Sequence, residues 1–141
     1  MKSKRIFQIL AIGGLMATAV QAQSFYPDIS KFSTTDKERM DKNFAAALKS
    51  DNEGLVESAL TIVTKVKLSL PDEQYQSIRE EIEKLTGDGT TPSIRYKAYI
   101  AEAVFTDPSI FREETGEVYA NGDALFSALA QRMARAFLSS K

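Results

Sequence analysis

Apolar residues recur every three or four positions over most of the chain beyond residue 35, and this spacing marks one face of an α-helix. Short polar segments that contain Gly, Asp or Pro separate the periodic stretches. The pattern predicts helices over residues 36–49, 54–68, from 71 to about 85, 92–106, 108–114 and 123–138. We therefore expect an all-α fold of about five to six helices.

Two helix assignments depend on local signals. The stretch VKLSL at residues 66–70 alternates between apolar and polar positions as a strand does, but no other stretch offers a partner strand. We therefore assign it to the second helix. The third helix is predicted to begin at Pro71, because Pro suits the first turn of a helix and two acidic residues follow it.

The periodic positions also predict which side chains are buried, and a chain of this length can close one hydrophobic core around them. In the first three helices they are Met40, Phe44, Ala47, Leu48, Leu55, Val56, Ala59, Ile62, Val63, Val66, Tyr75, Ile78, Ile82 and Leu85. In the last helix they are Leu125, Phe126, Leu129, Met133, Ala136 and Phe137.

The predicted fourth helix is apolar around most of its circumference. Its apolar residues are Ile94, Tyr96, Ala98, Ile100, Ala101, Ala103, Val104 and Phe105. Arg95, Tyr99, Glu102 and Thr106 are spaced four, three and four apart and share one narrow polar face. Such a helix packs on several sides, so we expect it to be central. Lys97 lies roughly opposite the polar face, where its ammonium must reach water or meet an acid. A catalytic lysine with a lowered pKa is the alternative.

The first 22 residues have the three-part pattern of a secretory signal peptide. Three basic residues at positions 2, 4 and 5 precede a largely apolar run over residues 6–20, and small residues lead to Ala22. A retained membrane anchor is the alternative, but the run is short and rich in Gly and Ala. We expect cleavage after Ala22 and export to the periplasm or the medium of a bacterium.

Residues 23–33 show no periodicity and contain a proline, so they are predicted to form an extended N-terminal arm. Its apolar side chains are Phe25, Tyr26, Ile29 and Phe32, which we expect to pack against the first helices; a partner protein is the alternative. A single helical-repeat domain is then expected over residues 34–141.

The chain contains no His, no Cys and no Trp. This composition excludes Ser-His-Asp triads, Cys-His pairs and ordinary zinc sites, and it leaves no disulfide to support an exported fold. No glycine-rich phosphate loop is present. We therefore expect no catalytic residue, metal site or cofactor, although a pair of carboxylates could still cleave a glycosidic bond.

The charge balance argues against nucleic acid and membrane as partners. Residues 1–22 hold three of the 18 basic residues and none of the 19 acidic ones, so the mature chain would keep 15 basic residues and carry a net charge of −4. No basic patch is evident. We expect no membrane contact once the signal peptide is removed.

Two segments of the chain resemble each other at an offset of 37 to 38 residues. The matched pairs are Leu48 with Leu85, Asp51 with Asp88, Val56 with Ile94, Ile62 with Ile100, Val66 with Val104, and Pro71 with Pro108. Each unit reads as the end of a helix, a polar loop with Asp, a more apolar helix and then Pro. A period of this size predicts stacked helix pairs that complete each other's core.

The second unit resembles the HEAT family of helical repeats. In PSIRYKA, residues 92–98, the Pro, Ile, Arg and Ala stand where that family places them in its second helix. The resemblance implies a HEAT-like array, either an α-α superhelix or a compact helical bundle. It also implies that Asp51, Asp88 and Arg95 brace adjacent repeats, although Asp88 stands one residue too far from Arg95 and Glu57 replaces the Arg in the first unit.

Such repeats usually present a surface to another protein. We therefore expect a non-catalytic protein-binding or scaffold module of the bacterial cell envelope, with Tyr99 and Glu102 as a possible interaction surface and another protein as the partner. The alternative is a small all-helical hydrolase that uses two carboxylates on envelope carbohydrate. Two acids about 5–10 Å apart across a deep cleft would favour the hydrolase.

Overall fold

The computed structural model describes residues 31–114 and 117–140. The helices are α1 (Thr34–Leu48), α2 (Glu53–Ser69), α3 (Gln76–Asp88), α4 (Pro92–Thr106), a 3-10 helix (Pro108–Glu114) and α5 (Gly122–Ser139). No strand occurs in the described ranges, so the predicted all-α fold is confirmed, and the stretch at residues 66–69 is helical. The predicted signal peptide and the arm up to residue 30 lie outside the described residues.

Within the described residues, four of the five α-helices begin at a residue whose own side chain caps the helix. The capping residues are Ser33, Asn52, Thr91 and Asn121, and each side-chain oxygen accepts the backbone N–H three residues later. In α1 the carboxylate of Asp36 also accepts the backbone N–H of Ser33, which completes a capping box. These local bonds explain why the predicted starts lie within two residues of the observed ones.

The third helix begins at Gln76, so the predicted start at Pro71 is wrong. No side chain of its own segment caps it. The carboxylate of Asp41 in α1 accepts the backbone N–H groups of Ser77 and Ile78 at 3.0 and 2.9 Å. The helix therefore starts where a neighbouring helix supplies its cap, and no sequence signal near Pro71 carries that information.

The first four helices form two successive pairs, α1 with α2 and α3 with α4. The second pair packs on the first, because α1 lies against α3 and α2 lies against α4. The 3-10 helix and α5 lie across α2 and α4. The expected central position of α4 is thereby confirmed, and Ala98 and Ala101 on its buried side are fully buried.

Several polar contacts between the two helix pairs join residues 36 to 40 positions apart, although the ion pair between Lys49 and Glu81 spans fewer residues. An ion pair links Lys37 to Glu73, at a separation of 36. Asp41 reaches Ile78 at a separation of 37, and Glu57 accepts the hydroxyl of Ser93 at a separation of 36. These separations are close to the offset of 37 to 38 residues in the sequence, so the packing is compatible with a helical repeat.

Three of the predicted buried or apolar positions face solvent. Leu55 is 48% exposed, Tyr96 is 49% exposed and Phe137 is 67% exposed. Leu55 and Phe137 lie on helix segments that no neighbouring helix covers fully, whereas Leu60, which the sequence reasoning missed, is completely buried. Periodicity identifies the apolar face of a helix, but it does not show which positions on that face are buried by other parts of the chain.

Within residues 31–114 and 117–140, none of the helices combines the length and the apolar character needed to span a bilayer.

Candidate interaction surface

The outer side of α4 carries the polar stripe that the sequence predicts. Arg95 and Glu102 are half-buried there, Thr106 is exposed, and Tyr99 is 56% exposed. Tyr96 is the fifth member of this surface. The buried side of α4 packs against α2 and α3, so these five side chains lie away from the core. We call them the α4 outer face.

The α4 outer face stands on a helix with a well-defined start. The hydroxyl of Thr91 accepts the backbone N–H of Ile94 at 3.1 Å, and Pro92 occupies the first turn. Buried aliphatic residues then anchor the helix along its whole length. The tyrosines therefore project from a rigid element, which limits the conformational entropy that binding would cost. An interaction surface at Tyr99 and Glu102 stays a prediction.

The guanidinium of Arg95 donates a hydrogen bond from Nη1 to the carbonyl oxygen of Gly89 at 2.6 Å. Gly89 is buried and close-packed, since an added Cβ would lie 2.7 Å from the carbonyl oxygen of Leu85. Arg95 thus stabilises the loop between α3 and α4. Asp51 and Asp88 are exposed, and neither forms an ion pair with Arg95 in the described structure. A brace made by these three residues between repeats stays a prediction.

Lys97, on the buried side of α4, meets two carboxylates. Its Nζ lies 3.0 Å from Oε2 of Glu57 in α2 and 2.7 Å from Oδ1 of Asp123 in α5. Burial acts to lower the pKa of Lys97, but the hydrogen bonds to Asp123 and Glu57 outweigh it, and the pKa is raised. The ammonium therefore stays charged at neutral pH and ties three helices together. A catalytic lysine needs the opposite shift.

Glu57 and Asp123 are close enough to be considered as a catalytic carboxylate pair. Both contact the same ammonium, so their oxygens lie within about 6 Å of each other, a separation that glycosidases use. Hydrogen bonds from Ser93 and then from Lys97 lower the pKa of Glu57, whereas a general acid needs a raised one. Lys97 also stands between the two carboxylates. The arrangement suits an ion triad that holds helices together.

Lys67 is a second buried lysine, which the sequence reasoning missed. Its Nζ donates to the carbonyl oxygens of Pro71 and Glu73 at 2.6 and 2.8 Å, and it lies 5.8 Å from the centre of the Phe105 ring. Burial lowers the pKa of Lys67. The available signal was the position of this Lys directly between the apolar residues Val66 and Leu68. Its role is to organise the loop between α2 and α3.

The hydroxyl of Tyr75 is buried, and it has no hydrogen-bond partner among the residues that the structure describes. Burial raises the pKa of Tyr75 to about 12. The phenol therefore stays neutral at physiological pH and contributes apolar packing at the start of α3.

A shallow depression lies near the end of α3. Its lining residues are Glu80, Glu83, Lys84, Thr86, Gly87 and Asp88. Although three of them are acidic, no group of three or more His, Cys, Asp and Glu in the described part of the chain is arranged to hold a metal ion. A charged and open surface of this kind is ordinary for a solvated helix end.

Comparisons with known protein families, with curated proteins and with solved structures found no match for this chain. Its function must therefore be argued from its own residues and contacts.

Proposed function

We propose that this chain is a non-catalytic, exported helical-repeat protein of the bacterial cell envelope that binds another protein through the α4 outer face. HEAT-like stacking is part of the proposal. It is supported by the packing of α1 on α3 and of α2 on α4, and by contacts that join residues one repeat apart. Export is supported by the signal-peptide pattern of residues 1–22.

The exposed aromatic character of the α4 outer face carries the proposal. Tyr96 and Tyr99 each leave about half of their surface in water, although they lie on the central helix of the fold. Tyrosine and arginine are enriched where proteins bind each other, because they combine a large contact area with hydrogen-bonding groups. Arg95 and Glu102 flank the tyrosines and supply charges of both signs for orienting a partner.

Site-specific photo-crosslinking tests this proposal. A photoreactive phenylalanine analogue is placed at position 99 in the full-length chain, expressed in the cells that naturally make it, and irradiated. We expect a discrete crosslink to a protein other than the chain itself, identified by mass spectrometry. The same analogue at position 42, an exposed site on α1, serves as the matched control.

The substitution Glu102→Ala is a second test of the same surface, because it alters the α4 outer face and leaves the crosslinking position unchanged. Under the proposal it weakens the crosslink from position 99. The proposal fails if position 99 yields no heterologous crosslink, or if positions 99 and 42 capture the same set of proteins to the same extent.

A further inference from the structure

The internal repeat gives the four residues of the polar stripe on α4 counterparts in α2, 38 positions earlier, whereas the counterpart of Tyr96 is the exposed Ser58. The counterparts of Arg95, Tyr99, Glu102 and Thr106 are Glu57, Thr61, Thr64 and Leu68. In α2 this stripe is covered: Thr64 and Leu68 are buried, and Glu57 is bonded to Ser93 and Lys97 of α4. In α2 the stripe is thus on the side of the helix that packs against the following helices of the chain.

In α4 the same stripe is more open to solvent, since Tyr99 and Thr106 are exposed and only Arg95 and Glu102 are half-buried. Glu102, Tyr96 and Tyr99 have no hydrogen bond or ion pair within residues 31–114 and 117–140, and Arg95 uses only one of its five donors, toward Gly89. Among the described residues, the α4 outer face is therefore a charged and aromatic surface that no other helix covers fully.

The charges of this face are complementary to themselves. Read from the N-terminus, the stripe runs from a cation at Arg95 through an aromatic ring at Tyr99 to an anion at Glu102. An antiparallel copy presents the same three groups in reverse order, so each arginine faces the partner's glutamate and the tyrosines meet near the middle. A two-fold axis makes each such contact twice.

We infer that the α4 outer face binds the same face of a second copy of the chain, with the two α4 helices antiparallel about a two-fold axis. The small side chain of Ala103, half-buried beside the stripe, leaves room for the partner's Tyr96. The inference rests on the proposed function, because it uses the same surface. Since one face cannot hold two partners at once, self-association competes with binding of the envelope protein.

Sedimentation velocity of the mature chain over about 1–500 µM tests the inference, because this concentration range detects dimers with micromolar to nearly millimolar dissociation constants. We expect a concentration-dependent shift from monomer to dimer. Glu102→Arg places two arginines opposite each other twice per dimer, and it should weaken dimerisation by at least about tenfold. Adding Arg95→Glu restores opposite charges, so the double variant should recover dimerisation to within about threefold of the original.

Glu83→Arg, the same charge reversal on the exposed side of α3, is the matched control and should leave the dimer unchanged. Because Arg95→Glu also removes the bond to Gly89, circular dichroism must show that the double variant is folded, and Tyr99→Ala gives an independent test without charge. A chain that is monomeric throughout, or a dimer insensitive to both Glu102→Arg and Tyr99→Ala, overturns the inference. If the monomer still crosslinks from position 99 to another protein, only the inference falls and the proposed function stands.

Discussion

Asp41 in α1 determines where α3 begins, through Ile78. Oδ1 of Asp41 accepts the backbone N–H of Ile78 at 2.9 Å, and Oδ2 accepts that of Ser77 at 3.0 Å. The carboxylate thereby satisfies two of the amides that the start of a helix leaves without a partner, and its negative charge suits that end of the helix dipole. One side chain joins the first helix pair to the second.

Asp41→Ala should destabilise the fold by about 1–2 kcal/mol, as the loss of a helix cap does. Asp41→Asn keeps a carbonyl acceptor and should cost less. The measurements are urea midpoints and hydrogen exchange of the amides of Ser77 and Ile78. Lys42→Ala, at the exposed neighbouring position, is the control. Unchanged exchange at both amides in Asp41→Ala would show that the cap is not formed in solution.

The close packing of α4 against its neighbours predicts the effect of enlarging Ala101. This residue is fully buried, so Ala101→Leu should overpack the core and cost about 1–3 kcal/mol. Ala46→Leu introduces the same side chain at an exposed position of α1 and should change the urea midpoint little. Equal midpoints for the two variants would mean that α4 is not central.

The N-terminus of α5 approaches α2 closely at Gly122. A Cβ added there would lie 2.5 Å from Oγ1 of Thr61, whereas at Gly54 the nearest atom is 3.4 Å away. Gly122→Ala should therefore cost about 1–3 kcal/mol, while Gly54→Ala should be neutral or stabilise by up to about 1 kcal/mol. The melting temperatures of both variants, measured in the same buffer, test this difference in stability.

Thr61 provides the check on that contact. Thr61→Ala removes the clashing hydroxyl, so adding it to Gly122→Ala should recover a large part of the lost stability. A double variant whose loss is simply additive would place the cause of the Gly122 effect elsewhere.

The ion triad around Lys97 predicts a loss of stability in acid. The hydrogen bond from Ser93, followed by that from Lys97, holds the pKa of Glu57 below its ordinary value of 4.5. The unfolded chain therefore binds the proton more readily. The contribution of Glu57 is present above that value, and it is lost as the pH falls through the folded pKa.

Urea midpoints measured from about pH 6 down to about pH 3 test the contribution of Glu57, because the dependence of stability on pH reports the protons taken up on unfolding. Glu57→Gln should lower stability at neutral pH and flatten the decline in acid. Glu83→Gln, an exposed glutamate on α3, should leave the profile unchanged. The assignment is wrong if Glu57→Gln keeps the full acid dependence of the original chain.

Much of this architecture was determined by the sequence alone. The capping residues Ser33, Asn52, Thr91 and Asn121 act on amides only three positions away, so local bonds placed the starts of α1, α2, α4 and α5. The offset of 37 to 38 residues predicted the stacking of two helix pairs. The spacing of Arg95, Tyr99, Glu102 and Thr106 placed them on one face, because the angle per residue in a helix is fixed.

Only the tertiary structure decided the remainder, because it depends on groups far apart in the chain. The start of α3 came from Asp41, 37 residues before Ile78. The acids that meet Lys97 came from α2 and α5, which no spacing within α4 could reveal. Leu55 and Phe137 lie on predicted apolar faces, yet they are exposed, because burial depends on which distant groups of the chain pack at each position. The sequence placed Tyr99 on a polar face, but only the packing of the described residues showed that its side chain is exposed.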